Sequence, residues 1–247
     1  MATRPVFLPM DSKESKLIKK IDVDFEWYPG FSISQKQKSI KSLHQKIKTR
    51  ELGKKVLEIS TKSPTDLGVE LSAFNLKIQT KKEIYFTVES AFQSSKVFEN
   101  GGPYDDLLLK GSREAKKDIR LKSSGKVIGF KYLNREFPSE PKTFFYNWLY
   151  VNALDKNQKL SKELLSYDSF TDIEFNPEKS INCQAEAAAL YVSLSHKKLL
   201  TTALSSIKNF KEIVYSDRLY KSNKIEKKPD NPAKPDKIKQ LDIFDSM

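Results

Sequence analysis

The chain has 247 residues, 38% of them hydrophobic and 31% charged, which suits one soluble domain with a proper core, or one domain plus appendages. A single cysteine, Cys183, excludes an internal disulfide and a cysteine-rich zinc site, and two histidines are too few for a histidine-based metal site. We therefore expect chemistry based on carboxylates, lysines and amides, without a cofactor or a transition metal. Because there is no apolar run long enough for a membrane span and no signal-peptide core, we expect a cytoplasmic protein with no membrane partner.

The net charge of +12, from 44 basic and 32 acidic residues, allows a polyanionic partner. An excess of positive charge speeds the encounter of a protein with nucleic acid. A lysine-rich coding bias gives the same total, because the basic residues are spread along the whole chain. The charge alone is therefore not evidence of DNA binding.

The first predicted helix runs from Gln35 to about Leu52, with Ser34 as its N-cap. An apolar stripe and a basic remainder make it amphipathic. The stripe contains Ile40, Leu43 and Ile47, and the basic residues are Lys36, Lys38, Lys41, Lys46, Lys48 and Arg50. Two interpretations stay open: a helix docked by its stripe, or a basic face that follows phosphates. His44 lies beside the stripe and is expected to pack rather than to catalyse.

A short strand is predicted at Val56–Ser60, and the polar residues Thr61, Lys62 and Ser63 follow it. Hydroxyl and ammonium donors after a strand are suited to holding a phosphate, although the glycines of a P-loop are missing. The alternative is a polar turn. Ser72 follows closely in the segment Leu71–Phe74 and is a further candidate for a phosphate or ribose contact.

The most informative segment is the strand Ile84–Val88 and the helix that follows it, with Thr87 as the predicted cap. Glu89, Gln93 and Lys96 are spaced i, i+4, i+7 and fall within a wedge of roughly 60° on a helix. A carboxylate beside an amine on a half-buried helix is a place where pKa values can be shifted. The alternative is a solvated polar face. Aromatic flanks argue against it, because something must cover them: Tyr85, Phe86, Phe92 and Phe98.

Further along the chain, the pattern predicts a basic helix at Ser112–Leu121, a strand at Val127–Tyr132 and an aromatic helix that starts at Lys142 or Thr143. The aromatic helix is apolar nearly all round and is therefore expected to be buried. Its predicted core residues are Phe144, Trp148 and Val151, and its candidate pocket walls are Tyr146 and Asn147.

The segment Tyr167–Pro177 is a second candidate site, because Asp168, Asp172 and Glu174 lie close together among aromatic residues. Strand alternation would point Asp172 and Glu174 to the same side. Paired carboxylates can divide acid and electrostatic roles when one is desolvated. The alternative is a loop whose acids cap a helix. Ser180 or Asn182 is expected to open the last core helix.

From Lys221 onwards the chain is rich in lysine and proline, and residues 216–247 are predicted to be a disordered tail. The tail ends in Gln240, Leu241, Asp242, Ile243 and Phe244. This pentapeptide resembles the bacterial sliding-clamp binding motif, which implies the DNA sliding clamp as a partner. The alternative is a segment that folds back onto the domain.

Several of these segments together resemble the NADAR family over residues 68–195. The matching residues are Leu71–Phe74, Tyr85–Gln93, Lys96–Phe98, Ser112–Lys117 and Tyr167–Leu194. The sequence departs from the family where Tyr85-Phe86 replaces the usual tryptophan and where Glu174-Phe175-Asn176 replaces a Trp-Gly pair. The resemblance is closest to the branch encoded beside DNA ADP-ribosyltransferase toxins. It implies a compact α/β to mainly α domain over residues 1–215.

By this resemblance the protein is an antitoxin that hydrolyses the bond between ADP-ribose and guanine in DNA. One route uses two carboxylates and an oxocarbenium-like centre. The favoured route uses Lys96 as a nucleophile that forms a Schiff base, Glu89 as proton shuttle, and Asp172 as the group that holds ribose hydroxyls or the iminium. Gln93 is expected to bind ribose or the guanine edge. The candidate substrate contacts are Thr61, Lys62, Ser63, Ser72, Glu174 and Asn182.

Two other functions stay open. The first is a non-catalytic protein that binds ADP-ribosylated DNA or the toxin itself. The second is an N-glycosidase that acts on a small nucleotide-derived molecule, in which case the basic helices would be incidental. Catalysis on DNA implies ADP-ribosylated DNA and the cognate toxin as partners.

Overall fold

The computed structural model describes residues 1–11, 14–80 and 82–215. The predicted tail, including Gln240–Phe244, lies outside the described residues. The strands are β1 (Ala2–Pro9), β2 (Ile18–Phe25), β3 (Val56–Glu58), β4 (Lys77–Gln79), β5 (Tyr85–Thr87), β6 (Lys96–Phe98), β7 (Val127–Tyr132), β8 (Arg135–Pro138) and β9 (Ser169–Thr171). The helices are α1 (Ile33–Thr49), α2 (Asp66–Glu70), α3 (Val88–Ser94), α4 (Ser112–Lys117), α5 (Arg120–Ser123), α6 (Phe144–Lys156), α7 (Gln158–Leu164), α8 (Gln184–His196), α9 (Leu200–Leu204) and α10 (Ile207–Tyr215).

A four-stranded sheet of order β2-β1-β9-β3 supports one wall of the molecule. β1 pairs with β2 and β9 in antiparallel fashion, whereas β9 and β3 are parallel. Helix α1 packs its apolar stripe on this sheet because burying that stripe removes it from water. The buried residues of this smaller core are Val6, Val23, Phe25, Ile40, Leu43, Ile47 and Ile173.

The larger core is organised around α6 and α8. Every residue of α6 from Phe144 to Leu154 is buried, as expected for a helix that is apolar all round. Helix α8 contributes small buried side chains, at Ala185 and Ala187–Ala189, which let it approach its neighbours closely. The predictions of a buried aromatic helix and of close packing by small residues in α8 are confirmed. The expectation that α8 is the last core helix is wrong, because α9 and α10 follow it and place Leu204 and Phe210 in the same core.

Two small antiparallel units bracket α3. β4 and β5 form a hairpin, and β5 leads directly into α3. After α3, β6 begins a three-stranded meander of order β6-β7-β8. The α/β fold class predicted from the sequence is confirmed. Among the described residues, there is no helix with the length and hydrophobicity that a membrane span requires.

The predicted boundaries of the two basic helices are wrong. Helix α1 begins at Ile33, because the hydroxyl of Ser32, not that of Ser34, accepts the backbone N–H of Gln35 at 3.3 Å. The predicted helix Ser112–Leu121 is two helices, α4 and α5. Asp118 has an extended backbone between them, and its carboxylate accepts the backbone N–H of Arg120 at 3.0 Å, which starts the second helix.

Candidate functional site

A cavity of about 810 Å³ lies between α3, α4, α6 and the loops that follow β3 and β9. Its volume is within the range of roughly 300–1,000 Å³ that is usual for small-molecule sites. Both polar and aromatic side chains line it. The principal ones are Thr61, Phe74, Glu89, Phe92, Gln93, Lys96, Lys116, Phe130, Lys142, Tyr146, Asp172, Glu174, Lys179, Asn182 and Gln184.

Helix α3 forms one wall, and its start is fixed by the predicted cap. The hydroxyl of Thr87 accepts the backbone N–H of Ser90 at 3.1 Å, as an N-cap should. Glu89 is held as well, because its backbone N–H donates to the carbonyl oxygen of Ala73 at 2.9 Å. All residues of α3 are buried. The predicted cap and the order of strand and helix are therefore confirmed. The strand is shorter than predicted, because Val88 already belongs to the helix, and the helix is buried rather than half-buried.

Four polar side chains form a continuous chain along this wall. The amine of Lys96 donates to Oε1 of Gln93 at 2.7 Å, and Nε2 of Gln93 donates to Oε1 of Glu89 at 2.8 Å. The amine of Lys116 lies 3.4 Å from the same Glu89 oxygen. Glu89 is 5% exposed and Gln93 6%, so the alternative of a solvated polar face is wrong.

Lys96 is not on the helix, which corrects the expectation of three residues on one helical face. Helix α3 ends at Ser94, and Lys96 is the first residue of β6. The hydroxyls of Ser94 and Ser95 both donate to the carbonyl of Ala91, and such side-chain bonds compete with helix continuation. β6 then pairs with β7. Lys96 still reaches Gln93, so the predicted proximity is correct although the predicted backbone is not.

The aromatic flanks of this segment are covered unequally. Phe86, Phe92 and Phe98 are buried, as expected, but Tyr85 is 54% exposed. Tyr85 precedes Phe86 on β5, and successive strand residues point to opposite faces. The expectation that all four rings are covered is therefore wrong for Tyr85.

Burial lowers the pKa of Lys96 to about 8. The negative charge of Glu89 acts in the opposite direction, and the positive charge of Lys116 lowers the pKa further. Removing an ammonium from water disfavours its charged form, which is why burial dominates. A usable fraction of Lys96 is therefore free amine near neutral pH, and free amine is the nucleophilic form.

Asp172 lies on the opposite wall, where β9 has already ended at Thr171. Its Oδ1 accepts the backbone N–H groups of Glu174 at 3.0 Å and Phe175 at 3.1 Å. This is a turn, so the predicted strand alternation of Asp172 and Glu174 is wrong, although both residues line the cavity. Burial, and then the negative charge of Glu58, raises the pKa of Asp172 well above its usual range.

Glu58 is a buried carboxylate that the sequence reasoning missed. It is 1% exposed, it accepts the backbone N–H of Ile173 at 2.8 Å, and it accepts the hydroxyl of Thr171 at 2.6 Å. The Thr171 oxygen also lies 2.9 Å from Nε2 of His44. Because Thr171 donates its only proton to Glu58, Nε2 of His44 must be the donor in the second bond. The one available sequence signal was a glutamate in the middle of an apolar strand.

The Thr61-Lys62-Ser63 cluster does not act as a unit. Thr61 lines the cavity and donates to Glu174 at 2.9 Å, whereas Lys62 faces an adjoining groove. Ser63 is buried against Thr65. Ser72 is fully buried and donates to a backbone carbonyl at 2.7 Å. Ser63 and Ser72 are therefore structural hydroxyls, which corrects their prediction as ligand contacts.

Asn182 lines the cavity as predicted, and its side-chain oxygen is buried without a hydrogen-bond partner among the described residues. That oxygen is free to accept a hydrogen bond from a ligand. Neither Asn182 nor Ser180 caps α8, which begins at Gln184 after Cys183. Asp168 accepts the backbone N–H groups of Lys54 and Lys55, and it does not line the cavity.

Of the two candidate pocket walls on α6, only Tyr146 lines the cavity. Asn147 donates to the hydroxyl of Tyr215 at 2.9 Å instead. Gln184 was not predicted, yet it joins two walls: it accepts from the backbone of Ala73 at 2.7 Å and donates to the carbonyl of Ile59 at 2.8 Å. Within the described residues, there is no group of three or more His, Cys, Asp or Glu side chains arranged for a metal ion.

Comparison with known protein families identifies the class to which this fold and cavity belong. The family model described as DarT1-associated NADAR antitoxin matches residues 2–224, and the chain belongs to that family. The resemblance noted in the sequence is thus confirmed and extends beyond residues 68–195. No curated protein matches the chain. Family membership gives the protein an antitoxin role and a functional link to a DarT toxin.

Proposed function

We propose that this antitoxin is an enzyme that removes ADP-ribose from guanine bases in DNA by hydrolysing the N-glycosidic bond. The observation that carries the proposal is the half-buried Lys96, which donates to Gln93 at 2.7 Å and has its pKa lowered to about 8, on the wall of a cavity of about 810 Å³. A protein that only binds a ligand has no need of a nucleophilic lysine. An enzyme that attacks an anomeric carbon does.

In the proposed reaction, C1′ and O4′ are the anomeric carbon and the ring oxygen of the ribose that is joined to the guanine base. The C1′–O4′ bond breaks first, as the lone pair of the guanine nitrogen forms an iminium and O4′ takes a proton. The free amine of Lys96 adds to C1′, and one of its protons passes to the guanine nitrogen. That nitrogen leaves with the bonding pair, so that ADP-ribose remains on Lys96 as a Schiff base. Water then adds to C1′ and releases ADP-ribose, which regenerates the amine.

Glu89 is suited to move these protons. It lies two hydrogen bonds from the Lys96 amine, through the amide of Gln93, and its buried carboxylate is paired with Lys116 at 3.4 Å. A positioned carboxylate typically contributes about 10²–10⁴-fold to such a step. The amide also orients the lysine, because its oxygen can only accept and the amine must donate to it.

The raised pKa of Asp172 favours one of its two expected roles. Burial, and then the negative charge of Glu58, raises this pKa well above its usual range, which disfavours the ionised carboxylate that would stabilise an iminium by charge. Asp172 can still hold ribose hydroxyls by hydrogen bonds. The same shift makes Asp172 a less suitable ionised carboxylate for the oxocarbenium route.

The rest of the lining suits an ADP-ribosyl group. Lys142 and Lys179 supply positive charge for a pyrophosphate, and Asn182 offers its unpartnered oxygen to a hydroxyl. Tyr146 and Phe74 provide aromatic surface for a base. Thr61 and Glu174, joined by their hydrogen bond, close the side of the cavity next to Asp172.

The test is to incubate an oligonucleotide that carries ADP-ribose on one guanine with the wild-type protein and with Lys96→Ala, and to follow the masses of the products. The matched control is Lys131→Ala, which removes an exposed lysine from β7. We expect the wild type and the control to release ADP-ribose and Lys96→Ala to release none. Borohydride added during turnover should reduce the Schiff base and leave an ADP-ribosyl mass on the peptide that contains Lys96.

The two rival functions give different results. Tight binding of the modified oligonucleotide with no mass loss in any variant would favour a binding antitoxin. Release of ADP-ribose from a free nucleotide as fast as from the oligonucleotide would favour a small-molecule N-glycosidase.

A further inference from the structure

A second concave surface adjoins the cavity, and the proposed reaction does not use it. This groove has a volume of about 930 Å³ and shares Phe74, Lys116 and Glu174 with the cavity. A ligand that enters the cavity can therefore continue into the groove. The other groove residues are Arg4, Trp27, Phe31, Lys36, Lys62, Arg113, Lys117 and Ile173.

The groove is strongly positive. Six basic side chains line it, and Glu174 is the only carboxylate among the described lining residues. Lys36, Lys62, Arg113 and Lys117 form no salt bridge within the described part of the chain. The Nε of Arg4 is buried and has no hydrogen-bond partner there. Clustered cations without counter-charges attract a polyanion.

An aromatic ring stands among these charges. Phe31 is 97% exposed and lies immediately before Ser32, the N-cap of α1. An apolar residue at this position usually packs on the fourth residue of the helix, but here that residue is Lys36. The exposed ring of Phe31 therefore lacks the contact that would make it structural. Trp27 differs from Phe31 because two cations contact its ring. The Nζ of Lys36 lies 4.4 Å, and the Cζ of Arg4 5.4 Å, from the centroid of the Trp27 ring.

A positive groove with an accessible aromatic ring is the usual design of a single-strand nucleic-acid site. Cations follow the phosphates, and a base stacks on the ring whatever its sequence. The two sides of the groove come from α1 and its preceding loop and from α4, so a strand would lie between them. Surface lysines alone, or one exposed phenylalanine alone, would be unremarkable.

We propose that this groove binds the single-stranded DNA segment next to the modified guanine, with phosphates on Lys36, Arg113 and Lys117 and a flanking base stacked on Phe31. The inference rests on the proposed function for the identity of the modified base in the cavity. It adds a reason for acting on DNA rather than on a free nucleotide. Lys116, which pairs with Glu89 and lines both surfaces, marks the junction between the two.

The test measures binding separately from turnover. Fluorescence anisotropy with an unmodified single-stranded oligonucleotide is compared between the wild type, Phe31→Ala and the triple variant Lys36→Gln, Arg113→Gln, Lys117→Gln. The matched control is Lys38→Gln, Lys41→Gln, Lys48→Gln, which removes the same charge from exposed residues of α1 that do not line the groove.

We expect Phe31→Ala to weaken binding by about tenfold. The groove triple variant should reduce the slope of log affinity against log salt by about 2, which corresponds to three phosphate contacts on a single strand. The control should change both quantities little. Equal losses of affinity in the two triple variants would mean that DNA binding depends on net charge alone, and would overturn the proposal of a DNA-binding groove.

Turnover distinguishes a failure of this inference from a failure of the proposed function. The groove variants should raise KM for the ADP-ribosylated oligonucleotide at least about tenfold and leave turnover of an ADP-ribosylated mononucleotide unchanged. If ADP-ribose is released and the groove variants behave like the wild type, only the proposal that the groove binds DNA is overturned. If no ADP-ribose is released but the groove variants alone lose oligonucleotide binding, the groove binds DNA and the proposed enzymatic function is wrong.

Discussion

The cavity and the groove contain lysines in different environments. Lys96 in the cavity is half-buried beside an amide, and burial lowers its pKa to about 8. Lys117 in the groove is exposed and faces solvent. A lysine that is removed from water becomes a nucleophile, whereas one that stays in water remains a point charge for phosphates. In the proposed function, burial and not residue type separates the reacting lysine from the lysines that bind DNA.

The carboxylates show the same division. Asp172 and Glu58 are buried, and burial raises the pKa of both. Glu174 lies at the shared edge of the cavity and the groove and is exposed, with its oxygen bonded to Thr61. Burial therefore shifts the pKa of the carboxyl groups behind the cavity wall, whereas Glu174 at the edge stays in contact with solvent.

The largest effect is expected from Lys96→Arg. Arginine keeps the positive charge but does not lose its proton and cannot attack a carbon. We expect kcat to fall by on the order of 10³-fold or more, with little change in binding of ADP-ribose. Single-turnover kinetics and ADP-ribose titration measure the two quantities. Activity within about tenfold of wild type would show that Lys96 acts only as a charge and that the covalent route is wrong.

The next effect concerns His44, which supports the cavity wall through Thr171. Burial, with a smaller contribution from the charge of Lys48, lowers the pKa of His44 to about 4, from 6.5. The unfolded chain takes up the proton at about pH 6.5 and the folded protein does not. Stability from this group is therefore complete above pH 6.5 and is lost as the pH falls towards 4, by about 3 kcal/mol in total.

Urea unfolding between pH 7 and pH 4 measures this effect in the wild type and in His44→Gln, which cannot titrate. The difference in unfolding free energy between the two proteins should move in favour of the variant as the pH falls. Lys117→Gln, an exposed change in the groove, should follow the wild type. A parallel pH dependence of the wild type and His44→Gln would show that His44 has the same pKa in the folded and the unfolded protein.

The smallest effect is the pH dependence of turnover. Because Lys96 must be a free amine, kcat/KM should rise about tenfold per pH unit below about 8 and level off above it. The positive charge of Lys116 lowers the pKa of Lys96, so Lys116→Gln should move the midpoint to higher pH. Lys117→Gln in the groove should leave the midpoint where it is. Identical profiles for all three proteins would assign the titration to another group.

Local patterns predicted the elements around α3 correctly. The Thr87 cap, the strand that leads into the helix, and the proximity of Gln93 to its two charged neighbours were all readable from spacing. The end of α3 was not readable, because two serines bond back to Ala91 and the pairing of β6 with β7 draws Lys96 into a strand. Periodicity carries no information about that competition.

Contacts between distant segments were beyond prediction. Lys116 was read as part of a basic helix, and only the fold places it 3.4 Å from Glu89. Ser63 and Ser72 had suitable chemistry for a phosphate site, but both hydroxyls are used inside turns. The turn at Asp172 was read as a strand, since alternation of charged and apolar residues looks the same in both.

The family, the α/β class, the two buried helices and the candidates Glu89, Gln93, Lys96 and Asp172 are all readable from the sequence. They follow from capping, periodicity and short motifs, which act over a few residues. The packing of distant segments adds what no local pattern carries: Glu58 lies behind Asp172, a basic groove adjoins the cavity, and Lys96 is half-buried. Burial is a property of packing between segments far apart in the chain, and it is burial that sets the protonation on which the proposed chemistry depends.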